Sequence, residues 1–288
     1  MAKVDYSERQ FEMAIHFELR LLGQTSFAPS QVEEEGLGFD GAYYLGLDGL
    51  IRLSRQLGDP SISYLLGVSL RKLNDRLETA LASDIDYRAN IFVQHKKPEF
   101  LYGRNAKESG SWPGAYYRYD LTPHQQKALE ALAATASGRA WVGYAAPAVK
   151  TRRDLMKLER KGGLIDATNF ARTQMLNNHK RYSYDAAGCH GCGHSEPEQI
   201  EDKPFREQVE AMISEAAGLS LLDHVRDAER SVLAAAEKAR ASQFLSELKA
   251  RRDQTLTDDS LLWSMQTVSF FAYWYDLDWI LLHGTDRG

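Results

Sequence analysis

Apolar positions recur along this chain with two different periods, and each change of period marks an element. Phe11, Ala14, Ile15, Leu21 and Leu22 fall on one face of a helix. Ser7 stands where its N-cap belongs, with Gln10 at the capping-box position and Gly23 near the stop. Residues 31–35 and 37–45 read as a hairpin around a Glu-Glu-Gly turn. Leu65, Leu66, Leu70, Leu73, Leu77 and Leu81 return to helical spacing, which predicts a helix over 64–82. Ile91, Phe92 and Val93 form a short apolar run closed by polar residues and Pro98, the pattern of a buried strand. Residues 116–119 predict another strand, and Thr122-Pro123 opens a helix to about Ala134. Residues 140–146 predict an apolar strand that Pro147 ends, and 180–184 alternate as a further strand. Strand, helix, strand in this order predicts an α/β core.

Beyond residue 200 the texture changes. Residues 205–251 are rich in Ala, Glu, Lys and Leu, and 260–282 predict a more apolar helical region with Trp263, Phe270, Phe271, Trp274 and Trp279. The shift at 196–203 divides the chain into a core, 1–200, with 47–86 as a helical insertion, and a helical C-terminal region, 201–288. That region carries enough aromatic area to dock on the core, on a protein partner or on a second copy of the chain.

Composition narrows the class. With 43% hydrophobic and 26% charged residues among 288, the chain can bury a substantial core. A net charge of -5 argues against a surface coated for nucleic acid, but not against a local basic groove. Two cysteines in one short segment fit a reducing compartment. The first ten residues hold no apolar signal core, and Asp276 and Asp278 interrupt the most apolar tract, so the expected location is the cytoplasm, with no membrane partner.

Candidate chemistry gathers at the end of the Ile91–Val93 run, in Gln94, His95, Lys96 and Lys97. Alternation along a strand turns Gln94 and Lys96 one way and His95 the other. An amide oxygen beside an ammonium group suits metal-assisted attack on a phosphate; a strand that turns polar as it reaches solvent is the plain alternative. Glu18 lies within the apolar stripe of the first helix, where a carboxylate needs a partner, a metal or a proton. Asp40 sits between Phe39 and Gly41 in the predicted hairpin, where the glycine lets a ligand approach the backbone. Residues 150–161 hold six basic and two acidic residues; Lys150, Arg152, Arg153 and Lys157, with Lys97, are candidate phosphate contacts, or else an ordinary solvated helix face. Cys189 and Cys192 have zinc spacing, with His190 and His194 as further ligands for a structural Zn²⁺, but a second cysteine pair is lacking.

The order Glu18, Asp40, Gln94, Lys96 resembles the PD-(D/E)XK nuclease superfamily in its Q-x-K, Mrr-like variant. The resemblance covers residues 7–97 and extends less closely to about residue 184. It implies a restriction-endonuclease-like core, with a mixed central sheet flanked by helices. In it Asp40 matches the metal-binding strand Asp, Gln94 the middle ligand, Lys96 the lysine and Glu18 the helix glutamate. It further implies an Mg²⁺- or Mn²⁺-dependent phosphodiesterase acting on DNA, of the kind found in bacterial anti-phage and restriction systems. A catalytically silent subunit that binds a partner protein through its C-terminal helices is the alternative. The Asp40–Gln94 spacing is long for the family, and no proline precedes Asp40.

Overall fold

A computed structural model of the chain describes residues 2–22, 74–75, 78–79, 87–103, 106–215, 218–250 and 260–283. The predicted hairpin with Asp40, and nearly all of the 47–86 insertion, lie outside these residues.

The described residues form an α/β protein with two sheets and seven α-helices. Four strands make a mixed sheet in the order β10 (Asp278–His283), β2 (Tyr87–His95), β5 (Ala140–Pro147), β6 (Thr168–Arg172). Only β2 and β5 run parallel; β10 and β6 flank them antiparallel. Both central strands are buried on both faces, which is why they read as continuous apolar runs. The second sheet is antiparallel throughout: β1 (Ala2–Lys3), β3 (Glu99–Leu101), β4 (Tyr116–Asp120), β7 (Arg181–Tyr184), β8 (His190–His194) and β9 (Glu198–Glu201). Tyr117 and Tyr119 of β4 stand opposite Tyr184 and Tyr182 of β7. Tyr119 reaches Tyr144 of β5 at 5.8 Å between ring centroids, so aromatic packing joins the two sheets.

Helices cover the mixed sheet unequally. On one face, Ala89, Ile91 and Val93 pack with α1 (Glu8–Leu22), α3 (Arg152–Lys161) and α4 (Phe205–Glu215). On the other, Phe92 and Tyr144 pack with α2 (Pro123–Ala136), α5 (Leu221–Lys238), α6 (Ser242–Ala250) and α7 (Leu261–Trp274). Local chemistry sets the helix starts. Ser7 and Gln10 exchange the two hydrogen bonds of the expected capping box, Ser220 and Asp223 do the same for α5, and Pro123 occupies the first turn of α2.

The C-terminal region is not a separate helical layer. Its helices cover both faces of the mixed sheet, α4 on the α1 side and α5, α6 and α7 on the other, and residues 278–283, expected to be helical, form the edge strand β10 along β2. The composition shift near residue 200 therefore marks no break in packing. From the insertion, Asn74 and Glu78 accept hydrogen bonds from the backbone N–H groups of Leu262 and Leu261, at the start of α7.

Candidate functional site

Parallel pairing brings the C-terminal ends of β2 and β5 to one edge of the mixed sheet, with Gln94 opposite Tyr144 and His95 opposite Ala145. In open α/β sheets this edge is where ligands bind. β10 runs the other way, so its first residue, Asp278, lies at the same edge opposite Val93. The Lys96 N–H continues the ladder to the Ala145 carbonyl at 2.9 Å. Two sets of polar side chains therefore stand on the two faces of one rigid strand end.

The first set is Gln94 and Lys96. Gln94 shares the face of Phe92, is 1% exposed, and neither its amide oxygen nor its nitrogen has a hydrogen-bond partner among the described residues. Such a group costs about 1–3 kcal/mol when left unpaired in a protein interior. The Lys96 ammonium lies 5.9 Å from the centroid of the Tyr144 ring. Burial pulls its pKa below the usual lysine value, and Glu8, Asp276 and Asp120 partly oppose that.

The second set was not foreseen. His95 turns to the opposite face, as alternation requires, and its ring meets Phe11 and His16 of α1 edge-on at 5.4 and 5.2 Å. His16 Nε2 and His95 Nε2 each stand 2.9 Å from Asp278 Oδ2. These three ligand atoms lie within 4.8 Å of one another, the one such His/Cys/carboxylate group among the described residues. Burial alone would raise the pKa of Asp278; hydrogen bonding and charge from His16 and His95 instead hold it well below the carboxylate range. Glu12, one helical turn before His16, is shifted the other way, first by burial and then by the Asp278 charge.

Glu18 requires a correction. It is buried, as its place in the apolar stripe requires, but its carboxylate accepts the backbone N–H groups of Leu164 and Ile165 at 2.5 and 3.1 Å. It also belongs to the α1 face of the sheet, opposite Gln94. It is a brace for the chain after α3, and Glu18 and Gln94 do not share a coordination sphere. Asp40 lies outside the described residues.

The zinc candidates are placed in separate surroundings. Cys189, Cys192, His190 and His194 form no ligand group among the described residues. Cys189 packs toward Gln208 of α4, and burial pushes its thiol up to about 11, so it remains protonated. Cys192 faces Ser111, His194 bonds Ser183, and His190 pairs with Asp185. The segment is a strand whose alternation sends neighbouring candidates to different surroundings.

The basic candidates are exposed. Lys97 donates its backbone N–H to Glu8, and Lys150 sits 4.9 Å from the centroid of the Phe100 ring. Arg152, Arg153 and Lys157 line the solvent side of α3, whose one buried residue is Leu155. Lys97 and Lys150 follow β2 and β5 directly, which sets both at the edge that holds Gln94 and Lys96.

Among the described residues no helix is long and apolar enough to cross a membrane. No protein-family model, curated protein or solved structure matches this chain.

Proposed function

We propose that this chain is a metal-dependent phosphodiesterase that cleaves DNA at the C-terminal edge of β2 and β5, with Gln94 and Lys96 at its centre. The observation that carries the reading is the buried, unpartnered amide of Gln94 beside the Lys96 ammonium. A polar group is kept unpaired in a core at a cost, and a site for a ligand is a reason to keep it. A hard divalent ion such as Mg²⁺ or Mn²⁺ accepts an amide oxygen as ligand and retains several waters. When bound it supplies Lewis acidity toward a phosphate oxygen.

Each residue has a definite task in this reading. Gln94 offers its oxygen to the ion and Asp40 adds a carboxylate. Lys96 neutralises charge that develops on the phosphate, and the burial that lowers its pKa also limits screening of the ammonium by water. Lys97 and Lys150 hold flanking phosphates. The β2–α2–β5 arrangement, two parallel strands with a helix between them in sequence, supports a restriction-endonuclease-like core.

The test is cleavage of supercoiled and linear DNA with Mg²⁺ or Mn²⁺, by the wild type and by Lys96→Ala. Metal-dependent cleavage should fall at least about 100-fold in the variant, the size expected for losing a group that stabilises transition-state charge. No cleavage by the wild type with either metal, or equal cleavage by the variant, overturns the reading.

A further inference from the structure

The opposite face of the same strand end carries chemistry that the proposed cleavage site does not use. We infer that His16, His95 and Asp278 form a binding site for a borderline divalent transition-metal ion, distinct from the Gln94–Lys96 centre and independent of the nuclease reading.

Three observations carry this. The first is convergence. Nε2 of His16, Nε2 of His95 and Oδ2 of Asp278 come from three separate elements, α1, β2 and β10, yet lie within 4.8 Å of one another. Tetrahedral zinc with ligands at about 2.1 Å sets its donor atoms about 3.4 Å apart. The two histidine–aspartate separations of 2.9 Å need to open by only about half an ångström to reach that value.

The second is incomplete pairing. His16 makes a hydrogen bond to Asp278. His95 stands equally near the same oxygen and is 5% exposed, and its Nδ1 has no hydrogen-bond partner among the described residues. Two imidazoles from different elements thus converge on one carboxylate oxygen.

The third is the donor set. Two neutral imidazoles and one carboxylate select Zn²⁺, Fe²⁺, Co²⁺ or Mn²⁺ over the oxygen-seeking Mg²⁺ and Ca²⁺. Glu12 lies on the His16 face of α1, four residues earlier, where a further carboxylate can take up a fourth position or orient a water there. The site would pin α1 to β2 and β10. The ion would tie residues near the start of the described chain to residues near its end.

The experiment uses the full chain, stripped with chelator and titrated with Zn²⁺, with Co²⁺ for its visible absorption and Mg²⁺ as the hard-ion control. One equivalent of Zn²⁺ should bind and raise the thermal midpoint, and Co²⁺ should give the spectrum of a low-coordinate nitrogen–oxygen site. His16→Gln and Asp278→Asn should each weaken Zn²⁺ binding at least about 100-fold, since even outer-shell partners are worth about 10–100-fold. His16 is on a helix and partly exposed, so its variant keeps the test valid if the Asp278 variant does not fold. Lys96→Ala should bind Zn²⁺ like the wild type, which separates failure of this site from failure of the nuclease reading. Absence of stoichiometric Zn²⁺ binding, unchanged affinity in the folded ligand variants, or equal competition by Mg²⁺ overturns the inference.

Discussion

Two carboxylates in this protein, the buried Glu108 and the half-buried Asp278, are each held by basic side chains, yet they are built in opposite ways. Glu108 receives Arg118 on both oxygens, Arg181 on one and the Tyr116 hydroxyl on the other, all at 2.8–3.1 Å. It sits on the antiparallel sheet, where Arg118 and Arg181 face it from β4 and β7. Asp278 presents one oxygen to two imidazoles. Burial opposes ionisation at both, and at both the basic side chains that hydrogen-bond the carboxylate win and depress the pKa. The lesson is in the geometry. Arginines with fixed forks saturate a carboxylate and close the site. Imidazoles that converge without saturating it leave room for an ion.

The contrast breaks most visibly at Glu108. Glu108→Ala removes the carboxylate that Arg118 and Arg181 share, leaving Arg118 only its bond to Glu99, and should cost about 3 kcal/mol in urea denaturation. A loss below about 1 kcal/mol would show that the cluster is solvated and the contrast misplaced. Next in size is the loss in acid, because protonation weakens both clusters without deleting a side chain. Both folded pKa values lie below the ordinary value of their own group. Their stabilisation is therefore complete above those ordinary values and is lost as pH falls through the depressed folded values. The urea midpoint should fall below about pH 4, and less steeply in Glu108→Gln than in the wild type; equal slopes would remove Glu108 from the account.

Asp278→Asn should cost less than the Glu108 change, about 1–3 kcal/mol without metal, as one charge-assisted hydrogen bond is replaced by a neutral one. A loss as large as that of Glu108→Ala would make the histidine cluster a structural ion pair. The smallest effect has the opposite sign. Gln94→Leu removes an unpaired buried amide and should raise stability by about 1 kcal/mol while abolishing DNA cleavage. A destabilised variant would mean that the amide is satisfied in solution.

The sequence made some of this legible and hid the rest for identifiable reasons. Residues 91–93 and 140–146 lie inside β2 and β5 because a strand buried on both faces has to be continuously apolar. The opposed directions of Gln94 and His95 followed from alternation alone. Glu18 was legible as buried, but its partners are backbone N–H groups, which leave no trace in side-chain pattern. Asp278 was hidden by a wrong period. Trp279, Ile280 and Leu281 continue the apolar texture of α7, and a short apolar run does not distinguish strand from buried helix. The break lies in a turn where Asp276 takes φ 55°, a left-handed conformation that Asp tolerates better than most residues. His16 was invisible for a simpler reason: its carboxylate partner is 262 residues away.

The pairing of β10 with β2 also sets a clock on synthesis. Trp279 donates its indole N–H to Asn90 across 189 residues of chain. At about 5–20 residues per second, a ribosome takes roughly 10–40 s to make that interval. Throughout it the outer edge of β2 has no β10 to cover it, and an open edge is a template for any other extended chain. The nascent protein is therefore most exposed to mispairing in the interval before β10 is made, and a cell that makes it quickly shortens that exposure.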